Sequence, residues 1–267
     1  MQVAITREIS AAIERCELTH LTRRPIDLEK ARAEHHAYEQ CLREAGYRLE
    51  RLSAGAGMPD SLFVEDIAVV FDQVAIITRP GALSRRVETA AVAGALRAYR
   101  PIRFIDPPGT IDGGDVLTVG TRVFVGESSR TNRSAIAQIA SILAPHGYTV
   151  LGVAVRGALH LKSAVTAIAD DTLLINRDWA PADCFRPFHL VDVDPNEPMA
   201  ANALRLHDRV IYPTLFPRTR ARLDDRGIRV VGVDVGEIAK AEGAVTCCSL
   251  IFTDPSADRA RPPFPGS

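Results

Sequence analysis

The sequence predicts an α/β fold assembled from repeated strand–helix–strand units. Three observations carry this. β-rich runs alternate with runs of helical period along nearly the whole chain. The same order of elements returns five times, and no low-complexity linker interrupts it.

The first unit is "VAITREI", the helical stretch "DLEKARAEHHAYEQCLREAG" and "YRLERL". The second runs from "VAIITRPG" (Val74 to Gly81) through "SRRVETAAVAGALRAY", with Ala and Leu at helical spacing, to "IRFID". The third is "RVFVGESSR", "TNRSAIAQIASILAPHG" and "YTVLGVAV". A weaker fourth copy passes from "TLLINRD" through "CFRPF" to "HLVDVD", and the fifth is "DRVIYP", "PRTRARLDDRG" and "IRVVGVDV". Repeats of this kind bury their sheets against neighbours. A linear array needs capping repeats at both ends, whereas a closed ring does not. An ordinary doubly wound sheet has the same rhythm, so periodicity leaves both architectures open.

Composition narrows the function classes. The 267 residues suffice for a substantial apolar core. A net charge of −1 offers no electrostatic footprint for nucleic acid or an anionic membrane. No apolar run approaches the roughly 20 residues of a membrane span. The opening stretch "MQVAITREISAAIERCE" is charged throughout and lacks the apolar core of a signal peptide. Five cysteines without a CxxC pair argue against a disulfide framework and fit a reducing cytoplasm. Residues 1–253 read as one domain, and the Pro-rich, charged segment 254–267 as a disordered tail.

Several residues could carry chemistry. "MPDSLFVEDIAVVF" offers Asp60, Glu65 and Asp66, either a solvated turn or a site for a cationic ligand. "IDGGDVL" sets Asp112 before two glycines, which permit a sharp turn or close backbone approach, without phosphate-loop spacing. His160 stands between Leu159 and Leu161 in a run that reads as extended. Arg85 and Arg130 each follow a strand at the start of a helix, where they oppose the helix dipole. They are therefore either surface residues or forks for a carboxylate. In "EGAVTCCSLIF", adjacent Cys247 and Cys248 read as part of a strand and so face opposite ways. A thiol, an imidazole and acids together suit nucleophilic attack on a cationic carbon, with arginines holding a carboxylate elsewhere on the ligand.

The motifs "PDSLFVED", "AIITRPGALSRRVET", "IDGGDVL", "VGESSRTN", "LHLKSAV" and "AVTCCSL", in this order, resemble the dimethylarginine dimethylaminohydrolases. The resemblance runs from Glu17 to Phe252. It implies the pentein fold, a five-bladed α/β propeller of ββαβ units. It further implies hydrolysis of methylated arginines to citrulline without metal or organic cofactor, with the small-molecule substrate as partner and a homodimer allowed. Carried over by position, Cys247 is the nucleophile, His160 the general acid and base, and Asp112 its carboxylate partner. Glu65 and Asp66 hold the guanidinium, while Leu18, Asp60, Arg85, Arg130 and the backbone at Ala241 complete the pocket.

Two departures are visible. Ala244 replaces a glycine common in the family, so strain is expected there if the position needs positive φ. Ala241 is smaller than the usual aliphatic residue. The arginine deiminases share the chemistry but are usually longer. Non-catalytic penteins need not keep Cys247, His160 and Asp112 together.

Overall fold

A computed structural model describes residues 1–254. The expected tail lies outside the described residues from 255 onward. Asp254, placed in that tail by the sequence reading, is buried and donates its backbone N–H to Met1 O at 2.7 Å.

Five three-stranded sheets follow one another. The first begins with β1 (Gln2–Arg7), passes through α1 (Leu28–Glu44) and adds β2 (Arg48–Leu52) in parallel. The second contains β3 (Ala68–Val70), β4 (Ala75–Ile77), α2 (Thr89–Leu96) and β5 (Ile102–Phe104). The third contains β6 (Val116–Val119), β7 (Arg122–Glu127), α3 (Arg133–Leu143) and β8 (Thr149–Ala154). The fourth opens with the single turn α4 (Leu161–Ala164) and holds β9 (Val165–Ala167), β10 (Thr172–Ile175) and β11 (His189–Asp192). Its crossover is only a 3-10 turn, Ala182–Phe185, which explains why this copy is weak in the sequence. The fifth holds β12 (Leu204–Leu206), β13 (Arg209–Pro213), α5 (Pro217–Asp224) and β14 (Val230–Val233). After α6 (Gly236–Ala239), the last strand β15 (Leu250–Thr253) returns to pair antiparallel with β1, Ile5 opposite Leu250. Chain end thus closes on chain start, and the ring wins over the open sheet.

Each blade has an antiparallel pair followed by a parallel crossover. The first strands, β3, β6, β9, β12 and β15, jointly line a central channel of about 250 Å³. A short turn leads into each of them, and those ahead of β3, β6, β9 and β15 carry the site described below.

Local chemistry starts the helices. Asp27 caps α1 by accepting from Lys30 N at 3.1 Å, and Asn132 caps α3 by accepting from Ala135 N at 3.0 Å. The buried face of α1 holds Ala31, Tyr38 and Leu42, and that of α3 holds Ala135, Ile139 and Leu143. The core is five wedges between neighbouring blades. Strand alternation feeds them: Val3 and Ile5 fill one wedge while Ala4 fills the next. Each fully buried Ile or Leu contributes about 1.5–3 kcal/mol. No helix among the described residues is long and apolar enough to cross a membrane.

Phe124 is fully buried and packs on Phe185 with ring centroids 4.8 Å apart. Phe124→Ala is expected to lower the unfolding free energy by about 3–5 kcal/mol in urea denaturation. Leu83→Ala, at a side chain 72% exposed, is expected to stay within about 0.5 kcal/mol of the parent.

Candidate active site

At one mouth of the ring, Cys247, His160, Asp112, Asp66, Asp60, Arg85, Arg130 and Ala241 line a common cleft with Glu17, Phe63, Leu159 and Glu242. Asp66 belongs to the 3-10 turn Val64–Ile67 ahead of β3, and Asp112 precedes the turn Gly113–Asp115 ahead of β6. His160 immediately precedes α4, and Cys247 sits in the turn before β15.

His160 is not in a strand, contrary to the sequence reading. Its φ of −135° is extended, but the chain turns helical at once because Asp115 accepts from Leu161 N at 2.8 Å. Cys247 and Cys248 also lie outside a strand, which begins only at Leu250. Their environments still differ. Cys248 is buried in the wedge between the first and fifth blades, while Cys247 is half-buried at the cleft.

The imidazole Nε2 lies 3.1 Å from Asp112 Oδ2, and Nδ1 lies 3.8 Å from Asp66 Oδ1. Burial alone would push His160 down, but Asp66, Asp112 and Asp115 together raise it to about 9. Imidazolium is therefore the resting form at neutral pH. The Cys247 thiol is pushed well above its ordinary value, first by burial and then by the negative charges of Glu65 and Asp66. Thiol, not thiolate, is the resting form here. Burial also pushes Asp115 up, to about 6, although Ser128, Thr131 and Leu161 N all donate to it.

The glycines of "IDGGD" serve close approach, but to protein groups. A Cβ on Gly114 would stand 2.6 Å from His160 Nδ1, and one on Gly113 would stand 2.0 Å from Glu65 O. Only glycine lets this turn pass between the imidazole and the neighbouring blade.

Three of the expected pocket residues have protein partners of their own. Glu65 does not line the cleft: its carboxylate accepts from Lys162 Nζ at 2.6 Å and Thr246 Oγ1 at 2.7 Å, and it borders the central channel instead. Leu18 packs against the core wedge beside α1, and its neighbour Glu17 is the lining residue. Arg85 reaches the cleft, but all three of its nitrogens have protein partners. They bond Asp66 at 2.5 Å, Glu88 at 2.9 Å, and the carbonyls of Asp60 and Phe63 at 3.1 and 3.0 Å. A buried guanidinium needs such compensation, and taking up acceptors within its own blade supplies it. Ala244 is not strained either: among the described residues, the non-glycine positions with positive φ are His207 and Glu242.

Glu242, at φ +57°, is a residue the sequence reading missed. Its carboxylate accepts from the backbone N–H groups of Thr19, His20 and Leu21 at 3.0, 2.6 and 2.6 Å. Arg130 Nη2 donates to Thr19 Oγ1 at 3.1 Å from the other side. Together they hold segment 17–21 over the cleft. Lys162 was missed as well, although it lies inside the quoted motif "LHLKSAV", two residues after His160. Asp66, Asp112 and His160 each present one ligand atom within 4.8 Å of the others, enough to hold an ion. Asp66 is already committed to Arg85 and to Gly114 N, at 3.1 Å.

The raised imidazole fixes a pH dependence of stability. A folded value of about 9 against an ordinary 6.5 means that the folded protein binds this proton more tightly. The contribution is complete below about 6.5 and lost as pH rises through about 9. Unfolding free energies measured across this range should decline with pH, and His160→Asn should flatten the decline.

Comparison with known proteins adds the family. The family model described as "N,N dimethylarginine dimethylhydrolase, eukaryotic" matches residues 6–186. The N(G),N(G)-dimethylarginine dimethylaminohydrolase of Streptomyces coelicolor is 38% identical over 248 residues, covering 92% of this chain and 95% of that protein. Its namesake from Pseudomonas aeruginosa is 36% identical over 228 residues, covering 85% and 90%. A solved structure of the Pseudomonas aeruginosa protein, a cysteine-to-serine mutant complexed with citrulline, superposes with a TM-score of 0.88 at 34% identity. It covers 93% of this chain and 98% of that one. The chain belongs to the dimethylarginine dimethylaminohydrolase family.

Proposed function

We propose that the protein hydrolyses asymmetric dimethylarginine and monomethylarginine to citrulline, with Cys247 as nucleophile. The observation that carries this reading is a thiol, an imidazolium and a buried Asp112 sharing one cleft whose walls include Asp60 and Asp66. A guanidinium is cationic and delocalised, and carboxylates beside it localise its charge. Its arrival also brings a positive charge to a thiol that burial first, and then Glu65 and Asp66, hold protonated; this favours the thiolate, its proton passing to solvent.

The Cys247 sulfur then bonds the guanidinium carbon. The bond from that carbon to the methylated nitrogen breaks, and His160, already protonated, passes its proton to the departing dimethylamine or methylamine. The covalent thiouronium is next attacked by water, from which the neutral His160 takes a proton. The carbon–sulfur bond breaks and citrulline leaves with the water oxygen, whose second proton returns the departing Cys247 sulfur to the resting thiol, while His160 is again imidazolium. Asp112 orients the ring throughout, as the carboxylate of a catalytic triad does. With Arg85 committed to its own blade, this reading assigns the substrate carboxylate to Arg130. The groups invoked all fall within 1–253, in keeping with one catalytic domain. The five cysteines are free thiols, which supports a reducing, cytoplasmic setting.

Citrulline release from asymmetric dimethylarginine, monomethylarginine and arginine tests this reading. Turnover of the methylated substrates should survive Cys248→Ser and disappear in Cys247→Ser. Release from arginine alone would favour a deiminase, and release from none of the three would refute the assignment.

A further inference from the structure

Behind the cleft, facing the central channel, lies a closed polar ring that the reaction described above does not use. Lys162 Nζ donates to Glu65 Oε1 at 2.6 Å and approaches Gly113 O at 3.4 Å. The other Glu65 oxygen accepts from Thr246 Oγ1 at 2.7 Å. Asn202 closes the circuit. Its Nδ2 donates to Thr246 Oγ1 at 3.0 Å and to Lys162 O at 3.1 Å, and its Oδ1 accepts from Thr246 N at 3.1 Å. Each member comes from a different blade, on the turn leading into that blade's channel-lining strand.

The neighbours of these residues give the ring its meaning. Gly113 follows Asp112, Lys162 comes two residues after His160, Thr246 precedes Cys247, and Glu65 precedes Asp66. Glu65 N also donates to Cys247 O at 3.2 Å. A single connected network therefore fixes the backbone beneath each group that acts on the substrate. Its members are buried or nearly so, with side-chain exposures of 17% for Lys162 and 9% for Glu65. Water competes poorly for such bonds, and each one has a fixed direction.

We propose that Lys162, Glu65, Thr246 and Asn202 are positioning residues which, with the carbonyl of Gly113, form a five-blade clamp that sets Cys247 against His160 and Asp112. This rests on the hydrolase reading of the same cleft, and it gives Glu65 a role in place of the one expected from sequence. Lys162 has a second effect in the clamp. Its ammonium offsets the Glu65 carboxylate, which with Asp66, Cys248 and Tyr38 acts on the Cys247 thiol, in a cleft also lined by Glu17, Asp60, Arg85, Asp112, Arg130, His160 and Glu242. Without Lys162, that carboxylate faces the thiol uncompensated.

The test pairs disruptive with conservative variants in the full chain. In Lys162→Met and Thr246→Val, kcat should fall about ten- to a hundredfold, the scale of a misplacement near 1 Å, while KM stays within about twofold. Thr246→Ser, which keeps the hydroxyl, should restore kcat to within about threefold of wild type. If Lys162→Met does not fold, the Thr246 pair still decides. In parallel, iodoacetamide labelling of the Cys247 peptide should move to higher pH in Lys162→Met and stay in place in Lys162→Arg. Two results would overturn the proposal. One is a raised KM with kcat intact, which makes this side of Glu65 a substrate contact. The other is near-wild-type kcat and labelling in both disruptive variants. If wild type turns over no methylarginine, the hydrolase reading fails, while the labelling experiment still decides on the clamp.

Discussion

A buried aspartate organises this molecule. Asp66 is enclosed between blades, and an uncompensated carboxylate there would be costly. Its compensation comes from three directions: Arg85 at 2.5 Å, Gly114 N at 3.1 Å and His160 at 3.8 Å. Satisfying one charge thus draws together the second, third and fourth blades. Arg85 is held in turn by Glu88 and two carbonyls, so the pair does not depend on solvent. The charges of Arg85 and His160 overcome burial and keep Asp66 below the usual carboxylate range.

The same electrostatics explains why the resting site is quiet. Carboxylates around His160 keep its proton on, while burial first, and then the carboxylates of Glu65 and Asp66, keep the thiol's proton on. Both groups are protonated before a ligand arrives. A cationic ligand changes the balance for the thiol while leaving the imidazolium ready to give up its proton. An anionic or neutral ligand would not, so the charge arrangement itself selects the substrate class.

Much of this was legible in the sequence, for identifiable reasons. The five repeats showed because four of the crossovers contain a true helix with its own period, and the fourth, reduced to Ala182–Phe185, was the faint one. Cys247, His160 and Asp112 were each a weak signal alone, and it was the order of family-like motifs around them that joined them into one candidate site. What stayed hidden depends on direction. Whether Glu65 or Asp66 points into the cleft is decided by a turn of backbone that no pattern of residue types encodes, and Lys162 provides the partner that draws Glu65 away. Arg85 looked free because Glu88, three residues on, reads as an ordinary acid at the start of a helix. Glu242 gave no signal, since its importance comes from contacts with backbone more than 200 residues away.

The central claim is that the thiol of Cys247 becomes covalently bonded to the substrate carbon during turnover. The most direct test is acid quenching during turnover of asymmetric dimethylarginine, followed by peptide mapping with mass spectrometry. The account predicts an adduct, equal to the substrate less dimethylamine, on the peptide carrying Cys247. It should persist in Cys248→Ser and be absent from Cys247→Ser. Turnover with the Cys247 peptide unmodified at every quench time, or citrulline formation by Cys247→Ser at the wild-type rate, would contradict it.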